Sequence, residues 1–171
     1  VVPVVDLSRR GRRFADDFAD AAGRVARSGA FLFGPELAAF ERELAEVTAA
    51  PNVVAVSSGA AALQLALTAM GIGEGDEVIV PAFTAVPTAS AVIAAGARPV
   101  LADVDPATAV VTTDAVRAVR TSATRAVIVV HLYGYPAELP DTDLPVLEDA
   151  AQALGALHDT ARSAATAYSF Y

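Results

Sequence analysis

Apolar residues in this chain recur with two different periods, and the switch between them divides it into elements. Leu37, Phe40, Leu44 and Val47 stand three or four positions apart with Glu and Arg between them. That spacing is one face of a helix, which Pro35 opens and which stops before Pro51. A further helical stretch covers 14–26. At Asn52 the period changes. Asn52-Val53-Val54-Ala55-Val56-Ser57 is short, β-branched and apolar on both faces, which predicts a strand buried inside a parallel sheet. It passes through Ser58-Gly59 into Ala60-Ala61-Ala62-Leu63-Gln64-Leu65-Ala66-Leu67, a strong helix ending near Gly71. Gly75-Asp76 marks a turn before the strand Glu77-Val78-Ile79-Val80, and 84–95 reads as a helix closed by Gly96 despite Pro87 in its first turns. Further strands are expected at Pro99-Val100-Leu101-Ala102-Asp103, at Ala126-Val127-Ile128-Val129-Val130, at Val146-Leu147-Glu148-Asp149 and at Ala167-Tyr168-Ser169-Phe170. A helix around 114–120 separates the first two of these.

Buried strands alternating with amphipathic helices predict an α/β fold, a mostly parallel sheet with helices on both faces. Residues 1–33 read as an N-terminal arm and helix, and 34–171 as one α/β domain. The sequence stops in or just after a strand, so a truncated chain or a separately encoded second part of the fold is expected.

Composition narrows the chemistry. The 171 residues suffice for one domain with a real core. Hydrophobic residues make up 54% and mean hydropathy is +0.47, but much of that comes from Ala and Val scattered among Asp, Glu and Arg. No membrane span and no signal-like leader is read from the sequence, and a cytoplasmic protein is expected. The net charge of -8 argues against nucleic acid or an anionic membrane as partner. Cysteine is absent, which removes disulfides and thiolate catalysis. All twelve basic residues are Arg. With no lysine, no side chain here can form a Schiff base with a carbonyl.

Two segments carry candidate chemistry. Ser57-Ser58-Gly59-Ala60-Ala61 is a strand-to-helix junction, where free backbone N–H groups make an anion site and Gly lets a phosphate approach closely. The same small residues also serve plain packing. Val146-Leu147-Glu148-Asp149-Ala150-Ala151-Gln152 places Asp149 at the carboxyl end of a strand, where ligands of open α/β sheets bind. A buried carboxylate there needs a cationic partner, either a protonated ring nitrogen or a nearby Arg.

In order along the chain, Gly34-Pro35-Glu36, Phe40-Glu41, Val56-Ser57-Ser58-Gly59-Ala60-Ala61-Ala62-Leu63 and Gly73-Glu74-Gly75-Asp76-Glu77-Val78-Ile79-Val80-Pro81-Ala82-Phe83-Thr84 form a collinear series. It continues with Gly96-Ala97-Arg98-Pro99-Val100, Asp103-Val104-Asp105, His131-Leu132-Tyr133-Gly134, Glu148-Asp149-Ala150-Ala151-Gln152 and Tyr168-Ser169-Phe170-Tyr171. The series resembles the pyridoxal phosphate (PLP) dependent nucleotide-sugar aminotransferases, the DegT/StrS-like family of fold type I, and covers nearly the whole chain from about Gly29. The resemblance implies the large domain of that fold. It implies that Asp149 pairs with the protonated pyridine nitrogen, that Gln152 lies near the ring at its phenolic oxygen, and that the backbone of Gly59, Ala60 and Ala61 with the Ser169 hydroxyl holds the phosphate.

The sequence departs from the family pattern in several places. The family's lysine is expected a few residues beyond Tyr171. Ala60 stands where the family has Thr, and Ala85 where it has an aromatic that stacks on the cofactor ring. The stretch 133–145 holds three prolines in place of a crossover helix, and 154–167 reads as shortened. The resemblance therefore implies a sugar aminotransferase-like protein, moving an amino group from an amino acid to a keto-sugar nucleotide, that binds PLP non-covalently and is inactive alone. The alternative is a non-catalytic pseudoenzyme or scaffold subunit. Either is expected to form a homodimer, or a heterodimer with a complete aminotransferase subunit. A general nucleotide-binding domain is disfavoured because no complete G-x-G-x-x-G is present.

Overall fold

A computed structural model describes residue 3, residues 5–156 and residues 162–170. The chain divides into two compact units, Val1–Ala55 and Val56–Tyr171. The first is helical, with α1 (Ser8–Arg13), α2 (Ala15–Ser28) and α3 (Pro35–Thr48). Pro35 takes the first turn of α3 as expected, since its missing N–H has no partner to lose there. Arg24 and Glu36 form an ion pair at 2.7 Å within this unit.

The second unit holds α4 (Gly59–Ala69), β1 (Glu77–Pro81), α5 (Val86–Ala94), β2 (Arg98–Ala102), α6 (Thr113–Val119), β3 (Thr124–Val130), β4 (Val146–Asp149) and β5 (Ala165–Ala167). The five strands form one sheet in the order β2-β1-β3-β4-β5, and every pairing is parallel. Alternation along the strands sends side chains to two different cores. Val78, Val80, Ala126, Ile128 and Leu147 pack with Leu63 and Leu67 of α4 and Ala91 and Val92 of α5. Ile79, Val127, Val129 and Val146 face the other way, onto Val111, Val116 of α6, Ala137 and Leu139. The α/β fold with a parallel sheet covered on both faces is thus the one the hydrophobic pattern predicts.

Two expectations change, and the reading of 133–145 as lacking a crossover helix holds. Asn52-Val53-Val54-Ala55-Val56-Ser57 forms no strand, and Val54 is 79% exposed. β-branched composition favours extended backbone but cannot supply a ladder partner, and among the described residues none pairs with it. The Ala55 N–H goes instead to the Glu41 carboxylate at 2.8 Å. The last strand ends at Ala167, earlier than expected, so Tyr168, Ser169 and Phe170 follow the sheet rather than lie in it. Between β3 and β4 the chain makes only a short 3-10 turn, Leu132–Gly134, before irregular backbone. Buried Ala137 and Leu139 in that irregular stretch cover the sheet where a crossover helix would. Positions 157–161, within the segment read as shortened, and Tyr171 of the last motif lie outside the described residues.

β3 is the central strand, so its packing governs stability. Ile128→Ala is expected to cost about 2–5 kcal/mol in urea unfolding. Leu101→Ala, on edge strand β2 and 59% exposed, should cost under about 0.5 kcal/mol. Equal losses would contradict the assignment of the core.

Candidate functional site

Parallel strands deliver all their carboxyl ends to one edge of the sheet, and the loops leaving that edge converge. Here that edge carries Thr84, Ala85 and α5 after β1, His131 after β3, Asp149 at the end of β4 with Gln152 after it, and Ser169 after β5.

The first meeting is between Gly59 and Ser169. Ser58 is extended and caps α4, its Oγ accepting the Ala61 N–H at 3.1 Å. That bond occupies one of the three backbone donors expected for an anion, and the N–H groups of Gly59 and Ala60 are the first-turn donors with no hydrogen bond among the described residues. Gly59 is buried, and a Cβ placed on it would come within 3.0 Å of the Ser169 Cβ and 3.5 Å of its Oγ. A larger residue at the start of α4 would push Ser169 back by a few tenths of an ångström. Ala60 and Ala61, both half-buried, follow in the same turn.

Asp149 is 7% exposed at the end of β4. Its Oδ2 accepts the Thr88 hydroxyl at 2.8 Å, and its Oδ1 accepts the Ala151 N–H at 3.2 Å. Burial pushes the Asp149 carboxyl above its ordinary value, while the Thr88 hydroxyl, the Ala151 N–H and the nearby His131 pull it back. Register sets Asp149 opposite Ala167, and the Ala150 N–H donates to the Ala167 carbonyl at 2.9 Å. Asp149 and the Gly59/Ser169 pair therefore share one edge of the sheet. Thr88 went unnoticed in the sequence. The signal that would have found it is the Thr84/Thr88 spacing of four in the helix that leaves β1. Ala85 is the exposed N-cap residue of α5 and makes no side-chain cap.

Gln152 reaches back to the loop after β3, not to Asp149. Its Oε1 accepts the Tyr133 N–H at 2.9 Å. Since only the amide oxygen can accept, the Gln152 NH2 faces away from that bond as a donor. The turn carrying Tyr133 is left-handed at Tyr133 (φ 54°) and at Gly134 (φ 83°). A Cβ on Gly134 would lie 3.1 Å from the Gln152 carbonyl oxygen.

Beneath this turn sits a pair that the sequence quoted but gave no role. His131 and Glu148 are fully buried, with Nε2 and Oε2 2.7 Å apart. His131 Nδ1 accepts the Ala137 N–H at 3.0 Å, so the proton resides on Nε2 and is donated to Glu148, a tautomer assigned from its partners. Thr166 of β5 donates to the other Glu148 oxygen at 3.3 Å. The pair pins the β3–β4 connection against the sheet.

Two shallow depressions of about 430 and 690 Å³ lie at the opposite, amino edge of the sheet, around Gly75 and Gly96 and around Gly71 and Arg120. Their charges are already matched, Arg125 to Asp76 at 3.3 Å and Arg120 to Asp143. The buried, incompletely compensated carboxylate is at the carboxyl edge, and that edge is the candidate site. Among the described residues no group of His, Asp and Glu is arranged to hold a metal, and no helix is long and apolar enough to cross a membrane.

The sequence matches the DegT/DnrJ/EryC1/StrS aminotransferase family over residues 13–171. It is 44% identical over 183 residues to dTDP-3-amino-3,4,6-trideoxy-alpha-D-glucose transaminase of Streptomyces venezuelae, covering 99% of this chain and 48% of that protein. It is 41% identical over 162 residues to UDP-N-acetyl-3-dehydro-alpha-D-glucosamine 3-aminotransferase of Acidithiobacillus ferrooxidans, covering 91% and 44%. Among solved structures it superposes on S. venezuelae DesV in complex with a ketimine intermediate, with a TM-score of 0.90, 39% identity and coverage of 99% and 49%. It also superposes on Bacillus subtilis NtdA with bound cofactor PMP, with a TM-score of 0.85, 31% identity and coverage of 95% and 39%. The chain spans about half the length of the curated relatives it matches.

Two outcomes follow from this geometry. Because folding raises the Asp149 carboxyl above its unfolded value, the folded state holds its proton more tightly. The penalty is absent below the ordinary value of 3.8 and grows as pH rises through the raised folded value. Asp149→Asn should therefore stabilise the ligand-free protein at neutral pH, with the gain shrinking as pH falls toward 3.8, read by urea unfolding across pH. His131→Leu withdraws a donor from Glu148 and the acceptor of the Ala137 N–H, and should cost about 3–5 kcal/mol. Amide exchange at Ala137 and Tyr133 should accelerate with it, and a variant as stable as the parent would remove His131 from this account.

Proposed function

The chain belongs to the DegT/DnrJ/EryC1/StrS aminotransferase family, and on that premise we propose that its carboxyl-edge site binds pyridoxal phosphate in the service of amino transfer to a keto sugar. The observation that carries this reading is one edge presenting a close-packed helix start and a buried carboxylate together: Gly59, where an added Cβ would come within 3.0 Å of the Ser169 Cβ, and Asp149 at the neighbouring strand end. The residues suit the group. A phosphate suits the Gly59 and Ala60 N–H groups, the positive end of α4 and the Ser169 hydroxyl. A protonated pyridine nitrogen suits Asp149, whose burial leaves a negative charge that Thr88 and Ala151 only partly satisfy.

When bound, pyridoxal phosphate supplies an electron sink at the substrate carbon, which is what transfer of an amino group between an amino acid and a ketone requires. The chain's own residues hold and tune. Asp149 keeps a proton on the ring nitrogen, because that proton sits between the ring and a desolvated carboxylate. Gln152, held by the Tyr133 N–H, directs its NH2 as a donor to a ring oxygen. Ala85 leaves the α5 end of the site open, without an aromatic surface to cover the ring. The 171 residues contain no lysine, so in this reading the amine that engages the cofactor covalently comes from polypeptide outside them.

The exposed apolar side chains of Leu65, Val86 and Ile93 support pairing with a second copy or with a complete aminotransferase subunit. The non-catalytic alternative draws on Ala60 and Ala85, which remove a hydroxyl and a stacking surface from the site. Retention of Asp149, Gln152 and Ser169 on the same edge favours the cofactor-binding reading.

Equilibrium dialysis of the chain against pyridoxal phosphate is expected to show reversible binding that Asp149→Ala weakens at least about tenfold. Borohydride treatment should label no side chain. Affinity unchanged by Asp149→Ala, or a preference for adenine nucleotides, would remove this reading.

A further inference from the structure

Thr88 is 0% exposed, yet carries a hydroxyl at a site where valine has the same shape. Burying that hydroxyl is unfavourable unless it is bonded, so its presence calls for a partner. The partner is Asp149 Oδ2 at 2.8 Å. Thr88 has a single hydroxyl proton, and once this is committed to the carboxylate, the 2.9 Å contact with Thr84 must be a bond donated by Thr84. The two threonines thus form a directed chain, Thr84 to Thr88 to Asp149. It begins outside α5 and ends on β4. Thr88 lies in the first turn of α5, so Asp149 also sits beside the positive end of that helix.

The bond has a directional consequence. Each carboxylate oxygen has two lone pairs, and Thr88 engages Oδ2 while the Ala151 N–H takes one lone pair of Oδ1. Together they fix the carboxylate plane from two elements, α5 on one side and the β4 turn on the other. We propose that Thr88 is the positioning residue of Asp149, its hydroxyl holding Oδ2 so that the carboxylate is presented in one orientation to the N–H of a cationic heteroaromatic ring. The ring belongs to the function proposed above, and this inference rests on that reading. Tethering of α5 to β4 is the simpler role for such a bond, and it makes different predictions.

The experiment compares Thr88→Val, which keeps shape and loses the hydroxyl, with Thr88→Ser, which keeps the hydroxyl. Two probes are used, pyridoxal phosphate and its analogue with carbon in place of the ring nitrogen. The parent chain is expected to prefer pyridoxal phosphate. Thr88→Val should lose about tenfold of that preference while binding the analogue unchanged, and Thr88→Ser should retain it. In ligand-free protein the Asp149 carboxyl, followed by carbon NMR, should titrate at higher pH in Thr88→Val and as in the parent in Thr88→Ser. The other groups acting on Asp149, His131 at the end of β3 and the Ala151 N–H, are the same in all three proteins. Equal weakening of both probes, or a serine variant that behaves like valine, would reduce Thr88 to a tether and overturn the proposal. If the parent binds neither probe, the cofactor reading fails by itself. Presentation of Asp149 to the ring is then overturned with it, and the titration separates the two failures: a raised Asp149 in Thr88→Val leaves the Thr88 bond standing without the ring, and an unmoved one removes the bond as well.

Discussion

A carboxylate buried at the end of a sheet strand sets the terms for everything around it. Among the described residues Asp149 forms no ion pair, and two hydrogen bonds together with nearby His131 return only part of the lost hydration. A fold tolerates such a group when surrounding structure holds it in place and a ligand completes it. The elements that hold it are the ones the hydrophobic pattern builds: a parallel sheet buried on both faces, whose geometry gathers every strand's carboxyl end at one edge.

Alternation along β4 gives its two adjacent carboxylates different neighbours. Leu147 and Asp149 face α4 and α5, while Val146 and Glu148 face the irregular β3–β4 connection. Glu148 is satisfied within the chain, by His131 and Thr166. Asp149 is left in deficit. One strand therefore carries a satisfied acid and an incompletely compensated acid side by side, separated by the thickness of the sheet and not by distance along the chain. The satisfied acid also works for the site, since His131 fixes the connection whose Tyr133 N–H orients Gln152.

Much of this was legible in the sequence, because periodicity reports burial. The helices at Pro35–Thr48 and Gly59–Ala69, and the strands Glu77–Pro81 and Val146–Asp149, follow from which positions are apolar. Asp149, Gly59 and Ser169 could be named from their motifs, and the structure sets them on one edge. What escaped was whatever depends on a partner distant in sequence. Asn52-Val53-Val54-Ala55-Val56-Ser57 has strand composition, but a strand exists only where a second one pairs with it. Thr88 looks like any helix residue until β4 is placed beside it. The tautomer of His131 is set by an N–H six residues on, in a segment with no periodicity to read. The short β3–β4 connection looked deficient, yet Ala137 and Leu139 do a helix's work of covering the sheet.

The close approach of Gly59 to Ser169 joins the beginning of the α/β unit to its far end. Every strand of the sheet lies between them in sequence, so the loop they close is among the longest the unit contains, and contacts of that kind form late in folding. The approach is therefore completed only when β5, which carries Ser169 behind it, has joined the sheet beside β4.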